Sequence, residues 1–211
     1  PVGVRALDSD HLFIGVNVDG LGVIYGIARN EFGNFEVQTT FNLSHTLNDM
    51  ANDQYNLFVS YTNTNSITRI PVVDKLLDTE NAFTVIPEVP NSMALHANLG
   101  LAKDSMGLLI ADYYNQRIIR LSHSMKVIDQ FGSFGNGEGE FLKPSIIKSY
   151  ENRIFVFDEA RHDIQIFDLN FKSVCRLEFS TNPEYDNYLE PEFFNDIADM
   201  DIITKVDDNL L

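Results

Sequence analysis

Residues 108–121 read Leu108-Leu109-Ile110-Ala111-Asp112-Tyr113-Tyr114-Asn115-Gln116-Arg117-Ile118-Ile119-Arg120-Leu121, two short apolar runs on either side of a polar turn. Apolar runs this short, interrupted by Asp and Asn, fit a β-hairpin, because those side chains cap backbone N–H groups and accept left-handed conformations. The same grammar recurs. Leu12-Phe13-Ile14-Gly15, Leu57-Phe58-Val59-Ser60 and Ile154-Phe155-Val156-Phe157 match Leu108–Ala111, and the first residues of the four runs lie 45, 51 and 46 positions apart. In the last three copies a second apolar run starts at Ile67, Ile118 or Ile164, ten residues after the anchor. The first copy, with Asp19-Gly20-Leu21-Gly22 before Val23, reads as one residue longer.

Working outward, a third β-like run follows in each copy, as in Lys126–Phe131 and Lys172–Leu177, and a shorter one precedes the anchor, as in Leu99–Ala102 and Pro144–Ile147. Four short strands per unit at this spacing predict an all-β fold, a β-propeller of four-stranded antiparallel blades. A sandwich also uses short strands, but it would not require its strands to share residue grammar. Blades are expected at about 1–43, 44–92, 93–137 and 138–190, with a partial fifth at 191–211 that opens a new copy at Leu210-Leu211. Both ends then fall at one phase of the repeat. Further blades outside residues 1–211 are expected to close the ring, in preference to pairing of two partial propellers.

Composition narrows the partners. Fifteen Lys and Arg against 31 Asp and Glu give a net charge of −16, which repels a phosphate backbone and disfavours nucleic acid. The chain has no apolar run long enough to span a membrane, so no membrane insertion is expected. The lone Cys175 forms no internal disulfide, and no zinc-finger spacing is present, so the compartment stays open. Sixteen Phe and 8 Tyr without Trp suit the half-buried surface of a sheet.

Residues 99–168 resemble NHL repeats. Gly137-Glu138-Gly139-Glu140-Phe141-Leu142-Lys143-Pro144 is similar to that family's Gly-rich entry, and Ile110-Ala111-Asp112 with Asn115-Gln116-Arg117-Ile118 to its turn and exit. The fourth copy keeps Asp158 and Ile164 but carries Arg161 and Asp163 where the family has Asn and Arg, and the second has Tyr61, Thr64 and Ser66. The resemblance implies a six-bladed ring, of which this chain supplies four blades and the start of a fifth. It also implies that the loop before each innermost strand and the turn after Asp112 or Asp158 face a ligand-binding mouth.

On that mouth, Tyr113, Tyr114, Arg161 and His162 are expected as the ligand-binding face, since aromatics with a polar tip serve recognition. His45 and His96 stand twelve residues before Leu57 and Leu108, at one phase of successive copies. Some relatives of the resembling family are lyases whose metal is held by histidines from successive blades, and imidazoles converging on an axis can ligate zinc. A histidine at a loop–strand junction more often makes a local hydrogen bond, and the fourth copy has Leu142 there. Asp112, Asp158, Asn115 and Arg117 are expected to fix turns. The acidic group Asp196, Asp199, Asp201, Asp207 and Asp208 could attract calcium but lacks the spacing of a calcium loop. No nucleophile motif is present. The leading expectation is therefore a non-enzymatic scaffold for protein–protein interaction or for binding a peptide or small ligand, with no cofactor. The alternatives are a zinc- or calcium-dependent lyase using His45 and His96, and an RNA-binding NHL domain.

Overall fold

The computed structural model describes residues 2–62, 64–90, 92–96 and 99–178. The partial fifth copy and the acidic group at 196–208 lie outside them. Four antiparallel sheets follow one another as propeller blades. Blade 1 is β1 (Gly3–Ala6), β2 (His11–Val18), β3 (Leu21–Arg29) and β4 (Phe35–Asn42). Blade 2 is β5 (Leu47–Asn52), β6 (Asn56–Tyr61) and β7 (Ile67–Val73), with β8 (Leu76–Leu77) and β9 (Phe83–Val85) both paired to β7 in place of one outer strand. Blade 3 is β10 (Leu99–Lys103), β11 (Leu108–Asp112), β12 (Arg117–Leu121) and β13 (Val127–Phe131). The Gly-rich connection is more than a plain loop: β14 (Ser133–Phe134) and β15 (Glu140–Phe141) pair in parallel and sink Phe141 into the core. Blade 4 is β16 (Pro144–Tyr150), β17 (Arg153–Asp158), β18 (Asp163–Asp168) and β19 (Ser173–Glu178).

Turn chemistry repeats with the strands. Asp8, Asp53 and Asp104 stand four residues before three of the anchors, and each accepts the N–H of the residue two further on, at 2.8–2.9 Å. Met125 and Phe171, seven residues after Ile118 and Ile164, are both left-handed at φ 61° and 60°. Blade 1 departs from this grammar at its β2–β3 turn. Asp19 and Gly20 have φ of 51° and 82°, both left-handed, the two-residue type I′ geometry that matches strand twist. The apparent extra residue is therefore absorbed by longer strands, which run to Val18 and restart at Leu21.

Because side chains alternate along a strand, each blade offers one apolar face backward and one forward. Phe13 and Ile24 of blade 1 meet Leu57, Val59 and Ile70 of blade 2. Phe58 and Ile67 meet Leu108, Ile110 and Ile119 of blade 3. Leu109, Ala111 and Ile118 meet Ile154, Val156 and Phe167 of blade 4. The innermost strands approach closely: a Cβ on Gly100 of β10 would lie 2.4 Å from the Ser145 carbonyl oxygen of β16. Asp49 on β5 accepts from Arg5 Nη2 of β1 and from the Leu101 N–H of β10, each at 2.8 Å, and so joins three blades. Between blades 3 and 4, the fully buried Arg120 donates through Nη2 to Asp104 and to the Leu169 carbonyl, both at 2.8 Å, and stacks over Phe171.

Candidate binding face

The end of the blades carrying the candidate residues is built by a repeated clasp. Asp112 closes β11 and turns its carboxylate back to the loop leading into β10. Oδ1 accepts the N–H of His96 at 3.0 Å, while Oδ2 accepts from Asn115 Nδ2 at 2.9 Å and Arg117 Nε at 2.8 Å. Asn115 also donates to the Ala94 carbonyl, and Arg117 to Ser92 Oγ and the Met93 carbonyl. Asp158 repeats the arrangement. It accepts the N–H groups of Leu142 and Lys143 from the entry loop, and those of Ala160 and Arg161 from its own turn. Both carboxylates are fully buried, and both reach an amide sixteen residues earlier. The expected turn-fixing role thus extends to holding two loops of one blade together.

Blade 2 has Tyr61 at that phase, so a ring replaces the carboxylate. His45 lies 5.5 Å from Tyr61 between ring centroids, and the Tyr61 hydroxyl bonds Thr68 Oγ1, which bonds Thr84 Oγ1 at 2.7 Å. Burial raises the Tyr61 phenol above its ordinary pKa.

The residues expected on the ligand face separate into two groups. Tyr114 is 48% exposed and its ring centroid lies 4.7 Å from that of the exposed His96. Tyr113, expected beside it on the surface, is buried; it packs edge-on against Tyr114 at 4.8 Å, with Lys143 Nζ 5.7 Å from its ring centroid. Burial raises the Tyr113 phenol, and its bond to Tyr113 raises the Lys143 ammonium. Arg161 is also drawn inward. Its side chain is 3% exposed, bound to Asp163 and to the Glu140 carbonyl at 2.8 Å, because the blade 4 turn needs a cation between Asp158 and Asp163. His162 is half-buried and left-handed at φ 55°, with its N–H on the Asp158 carbonyl. Beside the clasp lies a cleft of about 520 Å³ lined by Ser92, Met93, Asn115, Arg117 and Gln130.

His45 and His96 are both exposed, and each ring rests on a tyrosine of its own blade. The His45 Nδ1 is 2.8 Å from Ser44 Oγ, the local hydrogen bond ordinary for a loop–strand junction. Among the described residues, no group of three or more His, Cys, Asp or Glu side chains comes together to hold a metal. Lys143 was visible in the Gly-rich entry only as a spacer; its place over Tyr113 depends on packing between blades 3 and 4, which no single repeat encodes.

Fold and face together define a β-propeller protein. No protein-family model matches the chain and no curated protein matches it, but solved structures do. A Bacteroides uniformis protein proposed as a 6-phosphogluconolactonase is similar with a TM-score of 0.61 and 12% identity, over 86% of this chain and 57% of that one. Regucalcin from Agrobacterium tumefaciens, a calcium-binding protein, is similar at 0.53 and 18%, over 74% and 52%. A streptogramin B lyase is similar at 0.50 and 12%, over 80% and 55%. The chain spans between about half and two-thirds of the length of such structures. At these identities the likeness shows the fold; the matched proteins include enzymes and binding proteins, and the fold hosts both. Among the described residues, no helix is long and apolar enough to cross a membrane.

Proposed function

We propose that the chain is an NHL-like propeller that acts as a recognition scaffold, binding a peptide or small ligand on the face of Tyr114 and His96. The observation that carries this reading is the contrast between the two sets of residues. The polar groups of the repeat, Asp112, Asn115, Arg117, Asp158 and Arg161, are consumed in holding loops, while Tyr114 and His96 stand exposed as an aromatic pair, Tyr114 next in the chain to Asn115 of the 520 Å³ cleft. A rigid platform with an exposed aromatic anchor suits binding, since ordering costs little when loops are already fixed.

The test is selection of a displayed peptide library on the immobilised chain. Enriched peptides should lose at least about tenfold in affinity, near 1.4 kcal/mol, against Tyr114→Ala. Binding unchanged by both Tyr114→Ala and His96→Ala would sink the reading.

A further inference from the structure

The clasp at Asp112 holds two loops, and it also fixes which way the polar groups of the neighbouring cleft face. A guanidinium carries only N–H donors, so whatever Arg117 touches must accept from it. Its Nε donates to Asp112 and its Nη2 to the Met93 carbonyl, while Nη1 donates to both Ser92 Oγ and Gln130 Oε1, the latter at 3.3 Å. Ser92 therefore gives Arg117 a lone pair and keeps its O–H donor. Gln130 gives its carbonyl oxygen and keeps the N–H donors of its amide. Asn115 is turned the opposite way. Both hydrogens of its Nδ2 are committed, to the Ala94 carbonyl at 2.8 Å and to Asp112 Oδ2 at 2.9 Å, which leaves Oδ1 to accept.

These three side chains line the one cleft of about 520 Å³, together with Met93, which is 66% exposed. Ser92 and Gln130 hang from a single nitrogen, Arg117 Nη1, so their donors are neighbours. The cleft thus offers two adjacent donor groups and one acceptor. It offers a ligand no unmatched charge: Arg117 is the ionised side chain that lines it, and Asp112 meets that charge at 2.8 Å, with the two side chains 7% and 0% exposed.

We propose that this cleft binds a neutral amide of an extended peptide backbone, its carbonyl accepting from Ser92 and Gln130 and its N–H donating to Asn115 Oδ1. This rests on recognition at the Tyr114 face and names the chemistry of the ligand taken there. The groups match in number, since an amide carbonyl has two lone pairs for the two donors and the amide has one N–H for the acceptor. A carboxylate brings no N–H to Asn115, finds no unmatched cation, and approaches a chain of net charge −16. Met93, and Tyr114 next in the chain to Asn115, give apolar surface to the peptide side chains on either side of that amide.

The probe is acetyl-leucine methylamide, neutral and carrying two amides, titrated into isotope-labelled chain and followed by NMR. It should shift the side-chain NH₂ signals of Gln130 and Asn115. Acetyl-leucine, with a carboxylate in place of one amide, should bind at least about tenfold more weakly. Gln130→Glu keeps an oxygen for Arg117 at an exposed position but replaces the donor with an acceptor, so it should weaken the methylamide by at least about tenfold at unchanged Tm. Equal or tighter binding of acetyl-leucine, undiminished binding by Gln130→Glu, or methyl glucoside moving these signals where the methylamide does not, would each overturn the proposal. Tyr114→Ala separates the cleft from the face. Library peptides that weaken on Tyr114→Ala, with the Gln130 and Asn115 signals unmoved by the methylamide, would sink the cleft and keep the face. A methylamide response that persists while Tyr114→Ala and His96→Ala weaken no peptide would sink the face and keep the cleft.

Discussion

Asp112 illustrates how much one side chain does in this fold. It is fully buried with Arg117, whose side chain is 7% exposed, and it also accepts the His96 amide. Replacing it with Ala strands a buried guanidinium and an amide at once. The expected loss is about 3–5 kcal/mol, the range for breaking a buried pair from one side. Urea unfolding of Asp112→Ala against the parent measures it. By contrast, Tyr114→Ala should change stability by less than about 1 kcal/mol, because the ring is half-exposed and leaves no buried polar group behind. Asp8 adds a pH dependence. Lys75 at 2.9 Å and then His11 hold its carboxyl well below the ordinary value of 3.8. A folded pKa below the unfolded one gives stability that is full above 3.8 and is lost as pH falls through the folded value. The gap in Tm between the parent and Asp8→Asn should therefore close in acid below that point; a gap that widens there would contradict the assignment. Asp112, Asp158 and Asn115 were legible in the sequence as turn residues because turn chemistry is local. The burial of Arg161 and Tyr113 was not, since it depends on Asp163, Glu140 and Lys143 arriving from other strands.

At the level of elements, strands and hairpins were legible because apolar runs and turn residues repeat, and the repeat averages out local exceptions. Two features escaped. The split outer edge of blade 2, β8 and β9, has too few residues to show a period, and the parallel β14–β15 pair sits within a segment whose glycines read as a loop. Close approach of strands β10 and β16 was also hidden in Gly100, which no pattern marks. Gly100→Ala should cost about 1–3 kcal/mol, since the added methyl meets a backbone carbonyl rather than a side chain that can turn away. Thermal unfolding of that variant, compared with Gly20→Ala in an open turn, separates crowding from loss of backbone freedom.

For the whole molecule, the propeller was legible from spacing, whereas the candidate binding face was legible only as an end of the blades. The two histidines stand at one phase of successive copies, but phase does not say which ring each will touch, and each touches a tyrosine. If the face is a scaffold surface, adding zinc should leave Tm unchanged, and His45→Ala with His96→Ala should not alter metal content measured by elemental analysis. A stoichiometric zinc ion lost in that double variant would instead favour the lyase reading.

Asp49 belongs to this scale. The strand contacts between blades join adjacent ones, and an array coupled only in that way can melt piece by piece, from either end. A single carboxylate shared by blades 1, 2 and 3 ties non-adjacent units, so loosening any one of them leaves the other two short of a partner. Its consequence is one of cooperativity: Asp49→Ala should broaden the unfolding transition and lower its apparent m-value, letting blade 1 come away while blades 3 and 4 stay folded.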